Sequence, residues 1–311
     1  MVAINTFFNC EVREEAPGKI GRGLFAEKDL VAGHLIIVEE PQMEFRSMAE
    51  VTKESVKSKW DEMQRAGNPV AYDLLGLSRQ VDVDASFEEK IHSIYRTNCL
   101  QTSEHEGGEV FLAVDVSIIN HACIPNATWR LNRNRPFEPH TVIEVRLVTD
   151  VKMGEEITIS YCAFDQEVLP RQHFLNERYG FYCQCQACVW GTPFYQASQF
   201  RRHMIGAISM DIKTTNWRVT PDGEALLQGM VTAWENTVVL ERALPFLWEV
   251  YAIAEVTART NGFPLLSKIF CEKLLNVVVI HAGEQCDAFV NTMLHLNGSR
   301  PQRLNAEGRL V

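Results

Sequence analysis

Apolar and polar residues alternate with a period of two from His140 to Val148, and the same alternation recurs at Ile157 and Ile159. Short apolar runs also occur at Leu35 to Val38 and at Val110 to Val114. Alternation of this kind is typical of strands with one buried face, and short apolar runs bounded by turn residues are typical of buried strands. We therefore predict short strands across much of the first 190 residues.

Helical periodicity occupies two other parts of the chain. Residues 47 to 95 are rich in charge with apolar residues spaced between, which predicts two or more short helices inserted between strands. Beyond Trp190 the pattern is helical as well, and Thr220 is the predicted N-cap before Pro221. Five apolar residues of that helix share one face: Leu227, Met230, Val231, Trp234 and Val238.

These patterns divide the chain at about residue 190. We predict an α+β protein with a β-rich domain at residues 1–190, including the helical insert at 47–95, and an α-helical region at 191–311. Three helices are expected between residues 222 and 295, and Leu265 to Ile280 should be buried because it is apolar on more than one face. Residues 297–311 are polar and predict a loose tail.

Charge and hydropathy restrict the classes of partner. The formal net charge is -10 and the pI is about 5.4, whereas direct nucleic-acid binding needs clustered Lys and Arg, so we expect no nucleic-acid partner. An acidic surface suits a basic peptide or a cationic small molecule. No uncharged apolar run reaches the roughly 18 residues of a membrane span, and Met1 to Cys10 lacks the features of a signal peptide. We expect an intracellular protein, cytoplasmic or nuclear, with no membrane partner.

Three of the nine cysteines are crowded into the motif Cys183-x-Cys185-x-x-Cys188. Structural zinc takes four ligands, so this motif is one thiolate short. Cys123 is the best candidate for the fourth ligand and Cys162 is its competitor, while three unligated buried thiols are the alternative. Because free cysteines behave as small apolar residues, the scattered ones are expected to be buried without chemistry, namely Cys10, Cys99, Cys162, Cys271 and Cys286.

Four motifs follow one another between residues 10 and 190. They are Gly21-Arg22-Gly23-Leu24-Phe25-Ala26, the heptad from Asn120 to Asn126, the strand from Gly154 to Tyr161, and Tyr179-Gly180-Phe181 with the cysteines that follow. In sequence and order they resemble the motifs of the SET-domain lysine methyltransferases. The resemblance implies a β-rich SET catalytic domain whose post-SET loop, residues 179–190, binds zinc.

The nearest subgroup is the SET-and-MYND type. It is indicated by Arg96-Thr97-Asn98-Cys99, by the short cysteine spacing and by the helical region after residue 190. The chain departs from that subgroup because the insert at 47–95 contains no cysteine and stands where a MYND zinc finger would be. Partner binding through such a finger is therefore not implied.

The resemblance also implies roles for individual residues. Tyr161 is the expected catalytic residue, where methyl donor and amine meet, and Tyr179 is expected to line the amine channel. Structural Zn²⁺ would be held by Cys123, Cys183, Cys185 and Cys188. The cofactor S-adenosyl-L-methionine would be held by Lys19, Gly21, Arg22, Gly23, Asn98, Ser117, Asn120, His121, Tyr161 and Phe181.

Three residues are expected outside the chemistry. Asn126 should tie crossing segments together through backbone hydrogen bonds, and Arg171 and Glu177 should lie on a solvated helix face.

Three functions remain open at this stage. The leading one is a protein-lysine N-methyltransferase whose partner is a protein or peptide lysine. The motifs describe the cofactor and the methyl centre and leave the acceptor undefined, so N-methylation of a small amine is the second. A catalytically silent SET module used for protein binding is the third.

Overall fold

The computed structural model describes residues 6–14, 21–77, 80–82, 84–102, 108–133, 141–164 and 166–283. These residues form eleven strands and eight α-helices, which confirms the α+β class. The strands are β1 Thr6–Phe7, β2 Cys10–Glu14, β3 Arg22–Ala26, β4 Leu35–Glu39, β5 Met43–Phe45, β6 Leu100–Gln101, β7 Val110–Leu112, β8 Asn120–His121, β9 Ala127–Asn132, β10 Val142–Leu147 and β11 Glu156–Ile159. The helices are α1 Lys53–Arg65, α2 Val70–Leu74, α3 Phe87–Asn98, α4 Val168–Tyr179, α5 Pro193–Thr214, α6 Pro221–Glu241, α7 Leu247–Thr260 and α8 Pro264–Ala282.

The described strands form three small sheets. Their orders are β1-β4-β10-β9, β2-β3-β11-β8 and β5-β7-β6. The period-two segment predicted from His140 to Val148 is β10, which pairs in antiparallel register with β9 from Val142 opposite Asn132 to Leu147 opposite Ala127. Side chains from the first two sheets meet in one apolar core that includes Leu24, Ile37, Ile143 and Ile157, each fully buried. Among the described strands, β9 and β6 stand last in their sheets and are therefore edge strands.

Two chain segments cross at the centre of this core, and we call residues 119–126 together with residues 156–164 the crossing. β8 and β11 pair in parallel, with Asn120 opposite Thr158 and His121 opposite Ile159. Asn126 fastens them: its Nδ2 donates to the Glu156 carbonyl at 2.8 Å, and its Oδ1 accepts from the Thr158 amide at 2.8 Å. The structural role predicted for Asn126 is confirmed.

The insert folds as the charge and spacing of its residues predict. Helices α1 and α2 lie within residues 47–95 and α3 begins there, and both α1 and α3 begin with capping boxes, in which Thr52 and Ser86 accept from the third backbone amide of their helices. Apolar residues of the three helices pack with β5 and β7 in a second core, including Trp60, Leu74 and Ile94.

The C-terminal helices have a core of their own. Thr220 is the N-cap of α6, as predicted, since its hydroxyl accepts from the Gly223 amide at 3.1 Å. Of the predicted apolar face, Leu227, Val231, Trp234 and Val238 are at most 1% exposed and Met230 is partly buried. Burying one such side chain stabilises the fold by about 1.5–3 kcal/mol. Helix α8 covers the predicted buried segment, although its Leu265 is exposed.

Several predictions concern residues outside the described ranges, namely Lys19, Cys286 and the tail at 297–311. The other scattered cysteines, Cys10, Cys99, Cys162 and Cys271, are buried as predicted. Among the described residues, no helix has the length and apolar character needed to cross a membrane.

Candidate functional site

Tyr161 is locked to the opposite segment of the crossing by three hydrogen bonds at and beside it. Its hydroxyl donates to the Ile119 carbonyl at 2.6 Å, and its backbone amide donates to Nδ1 of His121 at 3.0 Å. One step further, the Ala122 amide donates to the Ile159 carbonyl at 3.0 Å. Because the parallel β8 and β11 hold both segments, the Tyr161 hydroxyl has a fixed position and direction.

The surroundings of Tyr161 keep it neutral. Burial is the main cause that raises the pKa of its phenol above the ordinary value of 10, with the neighbouring Tyr179 and Glu156 acting in the same direction. Its ring lies 4.7 Å from the ring of Tyr179 and 5.3 Å from that of His121, centroid to centroid. The phenol is therefore a hydrogen-bonding group here and not a base at neutral pH.

An aromatic wall, consisting of Tyr179, Phe181 and Phe174, stands beside Tyr161. The centroid distances are 6.3 Å between Tyr179 and Phe181 and 6.0 Å between Phe174 and Tyr179. Gly180 ends α4 with φ +74°, and a Cβ there would lie 2.7 Å from Nε2 of Gln80. Only glycine meets both conditions without cost, so it lets the chain turn and present Tyr179 and Phe181 to the same site.

The glycine motif lies on the other side of Asn120. The Nδ2 atom of Asn120 donates to the Arg22 carbonyl at 2.9 Å and to Oε1 of Glu156 at 2.7 Å. A Cβ on Gly23 would lie 3.0 Å from both of those side chains, so the close approach requires glycine. Gly21 has φ +119°, a conformation that favours glycine, and a Cβ added to it would meet no atom of the described residues within 4 Å.

Asn98 and Ser117 make hydrogen bonds inside the protein. Asn98 Nδ2 donates to the Ile94 carbonyl at 2.7 Å. The Ser117 hydroxyl lies 2.5 Å from the Ala113 carbonyl and 3.2 Å from the Asn98 carbonyl. The guanidinium of Arg22 donates to the Gly76 carbonyl of the insert at 3.1 Å. These contacts fix the segments around the glycine motif, and Lys19 lies outside the described residues.

Four thiols converge behind the aromatic wall. The Sγ atoms of Cys123, Cys183, Cys185 and Cys188 all lie within 4.8 Å of one another. Cys123 Sγ is 3.8 Å from that of Cys183 and 3.5 Å from that of Cys188. Tetrahedral Zn²⁺ with Zn–S bonds of about 2.3 Å requires sulfur separations of about 3.8 Å. The donor set and its spacing therefore fit structural zinc.

Cys162 is not a member of this group of four. Its thiol belongs to a second set, with His121 and Cys123, whose ligand atoms also lie within 4.8 Å of one another. The Nε2 atom of His121 is 3.2 Å from Cys123 Sγ. Cys123 thus joins the thiol group to the ring that binds the Tyr161 amide.

Arg171 is not on a solvated face, and that prediction is wrong. It is fully buried, and its guanidinium donates to the Gln166 carbonyl, to the Ala187 carbonyl at 3.4 Å and towards Cys188 Sγ at 3.7 Å. A cation in this position would balance part of the negative charge of thiolates bound to a metal. Glu177 is exposed as predicted.

Arg178 is a site residue that sequence reasoning missed. One of its Nη atoms donates to Cys99 Sγ at 3.1 Å, and the guanidinium lies 5.6 Å above the Tyr179 ring and 5.8 Å above the Phe174 ring. It therefore braces the aromatic wall against the end of α3. Its position in the last turn of α4 was the only available signal, and a basic residue there is ordinary.

A cavity of about 280 Å³ opens beside the crossing. Ile159, Ser160 and Cys162, which flank Tyr161 in sequence, line one side. The lining also includes residues 127–131 of the edge strand β9 and Gln101 with Thr102 at the end of β6. Two edge strands thus border the cavity next to the residue predicted to be catalytic.

Comparison with known proteins matches part of this chain to one family model. The family model of the SET domain matches residues 21–162, a range that contains the glycine motif, the heptad and Tyr161. The cysteine segment, which we define as residues 179–190, and the helices that follow it lie beyond the match.

Individual relatives agree with the family match. Histone-lysine N-methyltransferase set5 of Schizosaccharomyces pombe is 28% identical over 188 residues, covering 60% of this chain and 53% of that protein. N-lysine methyltransferase SMYD2 of Homo sapiens is 34% identical over 85 residues, covering 27% of this chain and 18% of that protein. Protein-lysine N-trimethyltransferase SMYD5 of Mus musculus is 36% identical over 87 residues, covering 27% of this chain and 19% of that protein. The chain spans about half the length of the first of these relatives and less of the others.

Proposed function

We propose that this chain, whose residues 21–162 form a SET domain, transfers a methyl group from S-adenosyl-L-methionine to a lysine side-chain amine of a protein. The observation that carries the proposal is the fixed Tyr161 hydroxyl, bonded to the Ile119 carbonyl at 2.6 Å, on a residue whose ring contacts the aromatic wall and whose chain neighbours line the cavity. The relatives above are named as lysine methyltransferases, which supports the same reaction class.

When bound, the cofactor supplies an electrophilic methyl group on a sulfonium. In the proposed transfer the lysine nitrogen lone pair would form the new C–N bond, the C–S bond would break, and its electron pair would stay on sulfur. The amine must first lose a proton, which costs about 4.6 kcal/mol at pH 7 for a group of pKa 10.4. Burial beside the contacting rings of Tyr161 and Tyr179 would lower the amine pKa because burial disfavours the charged form.

The hydrogen bond of Tyr161 determines what its oxygen can do. Its proton is donated to the Ile119 carbonyl, so the oxygen has only lone pairs left for a substrate. Such an acceptor orients the remaining N–H groups of an amine and turns its lone pair towards the methyl group. The contribution is positioning and electrostatics in a fixed site.

The residues around the glycine motif fit the donor. Asn120 holds the Arg22 backbone and Gly21 leaves open space beside it, which lets main-chain groups approach a charged amino-acid end. His121 is 6.1 Å from Phe181 between ring centroids, and such a pair of rings suits the adenine. We assign cofactor contact to Gly21, Arg22, Gly23, Asn120, His121, Tyr161 and Phe181.

The four grouped thiols would hold structural Zn²⁺, which supplies folding free energy to a segment with few other contacts. Buried residues of the cysteine segment are few, namely Cys183, Ala187 and Cys188. Zinc bound there would fasten Phe181 and Tyr179 to Cys123, two residues from His121. Metal binding and cofactor binding would then depend on each other.

The cavity favours a protein substrate over a small amine. The edge strands β9 and β6 border it, and an extended peptide can add to an edge strand through main-chain hydrogen bonds. A free amine has no main chain with which to make such contacts.

A labelled-methyl assay tests the proposal. The zinc-loaded protein is incubated with S-adenosylmethionine carrying a labelled methyl, once with a cell lysate and once with its small-molecule fraction, and products are identified by mass spectrometry. Label on protein lysines is expected. Label only on metabolites would indicate a small-amine enzyme, and binding of no S-adenosylmethionine would favour a silent binding module.

A further inference from the structure

Two charged side chains of the C-terminal helices are buried against the crossing. Arg202 of α5 is 1% exposed and Glu241, the last residue of α6, is 0% exposed. Removing two ions from water costs several kcal/mol each, and apolar residues of the same volume often stabilise such a contact better. Attachment of the helices alone therefore does not explain why this ion pair is buried here.

Each of the three nitrogens of the Arg202 guanidinium donates a hydrogen bond. Its Nε donates to Oε1 of Glu241 at 2.6 Å, one Nη donates to the Phe164 carbonyl at 2.9 Å, and the other donates to the Cys123 carbonyl at 2.6 Å. A planar guanidinium can reach three acceptors in different directions, whereas the single ammonium of lysine cannot reproduce that fork. The contact is thus specific to arginine.

Glu241 is itself held in place. Its Oε1 accepts from the Ser198 hydroxyl at 2.5 Å, and its Oε2 accepts from Nε of Arg201 at 2.9 Å. Ser198 and Arg201 lie on α5 with Arg202, so two helices orient the guanidinium before it reaches the crossing. Arg201 makes no contact of its own with the crossing among the bonds described, since it pairs with Glu241 and lies over Phe194.

The two carbonyls that Arg202 binds belong to the two segments of the site. Cys123 is two residues beyond His121, and Phe164 is three residues beyond Tyr161. The segments are already joined by Tyr161 to Ile119 and by Tyr161 to His121. Arg202 adds a further connection just past them, from a part of the chain outside the SET match.

We propose that Arg202, oriented by Glu241, is a positioning residue of the methyl-transfer site, acting through the Cys123 and Phe164 carbonyls. The C-terminal helices then belong to the part of the protein that positions the methyl-transfer site. This role in methyl transfer rests on the proposed function. The hydrogen bonds between Arg202 and the crossing do not depend on that function. Without the three guanidinium hydrogen bonds, the positions of His121 and Tyr161 relative to each other are less well fixed, although both side chains are still present.

The test compares Arg202→Lys with Arg201→Lys in the full chain. Both variants lie on the same helix, share the partner Glu241 and keep the charge, but only the first reaches the crossing. Three quantities are measured: affinity for S-adenosylmethionine by calorimetry, amide hydrogen exchange at 119–126 and 159–164, and the sulfur-to-metal charge-transfer bands of Co²⁺-substituted protein.

Arg202→Lys is expected to weaken S-adenosylmethionine binding by about tenfold, in the range of coupling between contacting residues, to accelerate exchange in both segments and to alter the Co²⁺ bands. Arg201→Lys should change all three by a much smaller factor, because a lysine there can still pair with Oε2 of Glu241 and Arg202 keeps its bonds to the crossing. Equal effects of the two variants would overturn the proposal, because the pair would then serve stability alone.

If Arg202→Lys does not fold, Glu241→Gln takes its place, since glutamine keeps an acceptor for Nε but lacks the charge. It should shift the same readouts in the same direction by a smaller factor, and a Glu241→Gln protein indistinguishable from Arg201→Lys overturns the proposal. A wild-type protein that binds no S-adenosylmethionine would reject the proposed function, and the exchange comparison would still decide the role of Arg202.

Discussion

The cysteine segment and the helical region, residues 193–282, border the same crossing and keep their order by different interactions. In the cysteine segment Tyr182 and Trp190 are 61% and 83% exposed, and its buried side chains are mainly thiols. The helical region has an extensive apolar core around Leu227 and Trp234. The order of the first would therefore depend on a metal ion held by its thiols, whereas the second is stable through apolar burial and contributes one buried guanidinium to the site.

The largest effect is expected from Cys123→Ser. It removes the only thiol of the group of four that belongs to the crossing, so zinc content should fall from one per chain to near zero. S-adenosylmethionine binding should fall with it, because the aromatic wall loses its anchor. Metal analysis and calorimetry measure the two losses, and the helical region should keep its amide protection.

Cys271→Ser is the matched control, since Cys271 is equally buried but lies on α8 away from the thiol group. It should keep both zinc and cofactor binding. A Cys123→Ser protein with full zinc content and normal affinity would show that the two regions do not differ as described.

The reverse experiment perturbs the helical region. Trp234→Ala should lower the free energy of unfolding by about 3–5 kcal/mol, because Trp234 is completely buried. Zinc content per folded molecule should stay unchanged. Leu226→Ala on the same helix, where the side chain is 54% exposed, should cost less than about 0.5 kcal/mol. Denaturant titrations with metal analysis at each denaturant concentration check both predictions. Zinc loss from Trp234→Ala at low denaturant would contradict the difference between the cysteine segment and the helical region.

A third prediction concerns the approach to the crossing. Glu39 is fully buried, and its Oε2 accepts from the Asp115 and Val116 amides at 3.0 Å, where the short 3-10 helix Val116–Ile118 leads into Ile119. Burial raises the pKa of Glu39 from 4.5 to about 7, and the nearby Asp115 adds to the rise. The folded protein thus retains a proton that the unfolded chain loses between these pH values.

The contribution of protonated Glu39 to the free energy of unfolding is complete below pH 4.5. This contribution is lost as the pH rises through about 7. Relative to Glu39→Gln, the wild type should lose about 3 kcal/mol of unfolding free energy across this window. Urea titrations at pH 5 and at pH 7.5 of both proteins measure the difference. Glu40→Gln, at the adjacent half-buried position, is the control. Parallel pH profiles for wild type and Glu39→Gln would refute the assignment.

Local signals predicted much of this molecule. The period-two pattern predicted β10, and the capping residue Thr220 predicted the start of α6. The ordered motifs indicated that Tyr161 and His121 lie in one site. Each of these depends on residues close in sequence or on a motif with known spacing. The thiols of Cys123 and Cys183 lie 3.8 Å apart, as the choice of Cys123 for the fourth ligand requires, and their ligation of zinc stays a prediction.

The buried charges could not be predicted in the same way. Arg171 has the sequence signature of an exposed helical residue, and its acceptors are carbonyls of loops that only the fold brings near. Arg202 and Glu241 are 39 residues apart and meet because α5 packs on α6. Periodicity records which face of a helix is apolar, and it carries no information about a charged group whose partners come from another element.

Methyl transfer by Tyr161→Phe tests the central claim most directly. Phenylalanine preserves the ring beside Tyr179 and removes only the hydroxyl that is bonded to the Ile119 carbonyl. With protein substrate and labelled S-adenosylmethionine, we expect turnover to fall by at least about a hundredfold, comparable to the loss of one preorganised electrostatic contact in other enzymes. Affinity for S-adenosylmethionine should stay close to that of the wild type. Transfer at the wild-type rate by Tyr161→Phe would contradict the account.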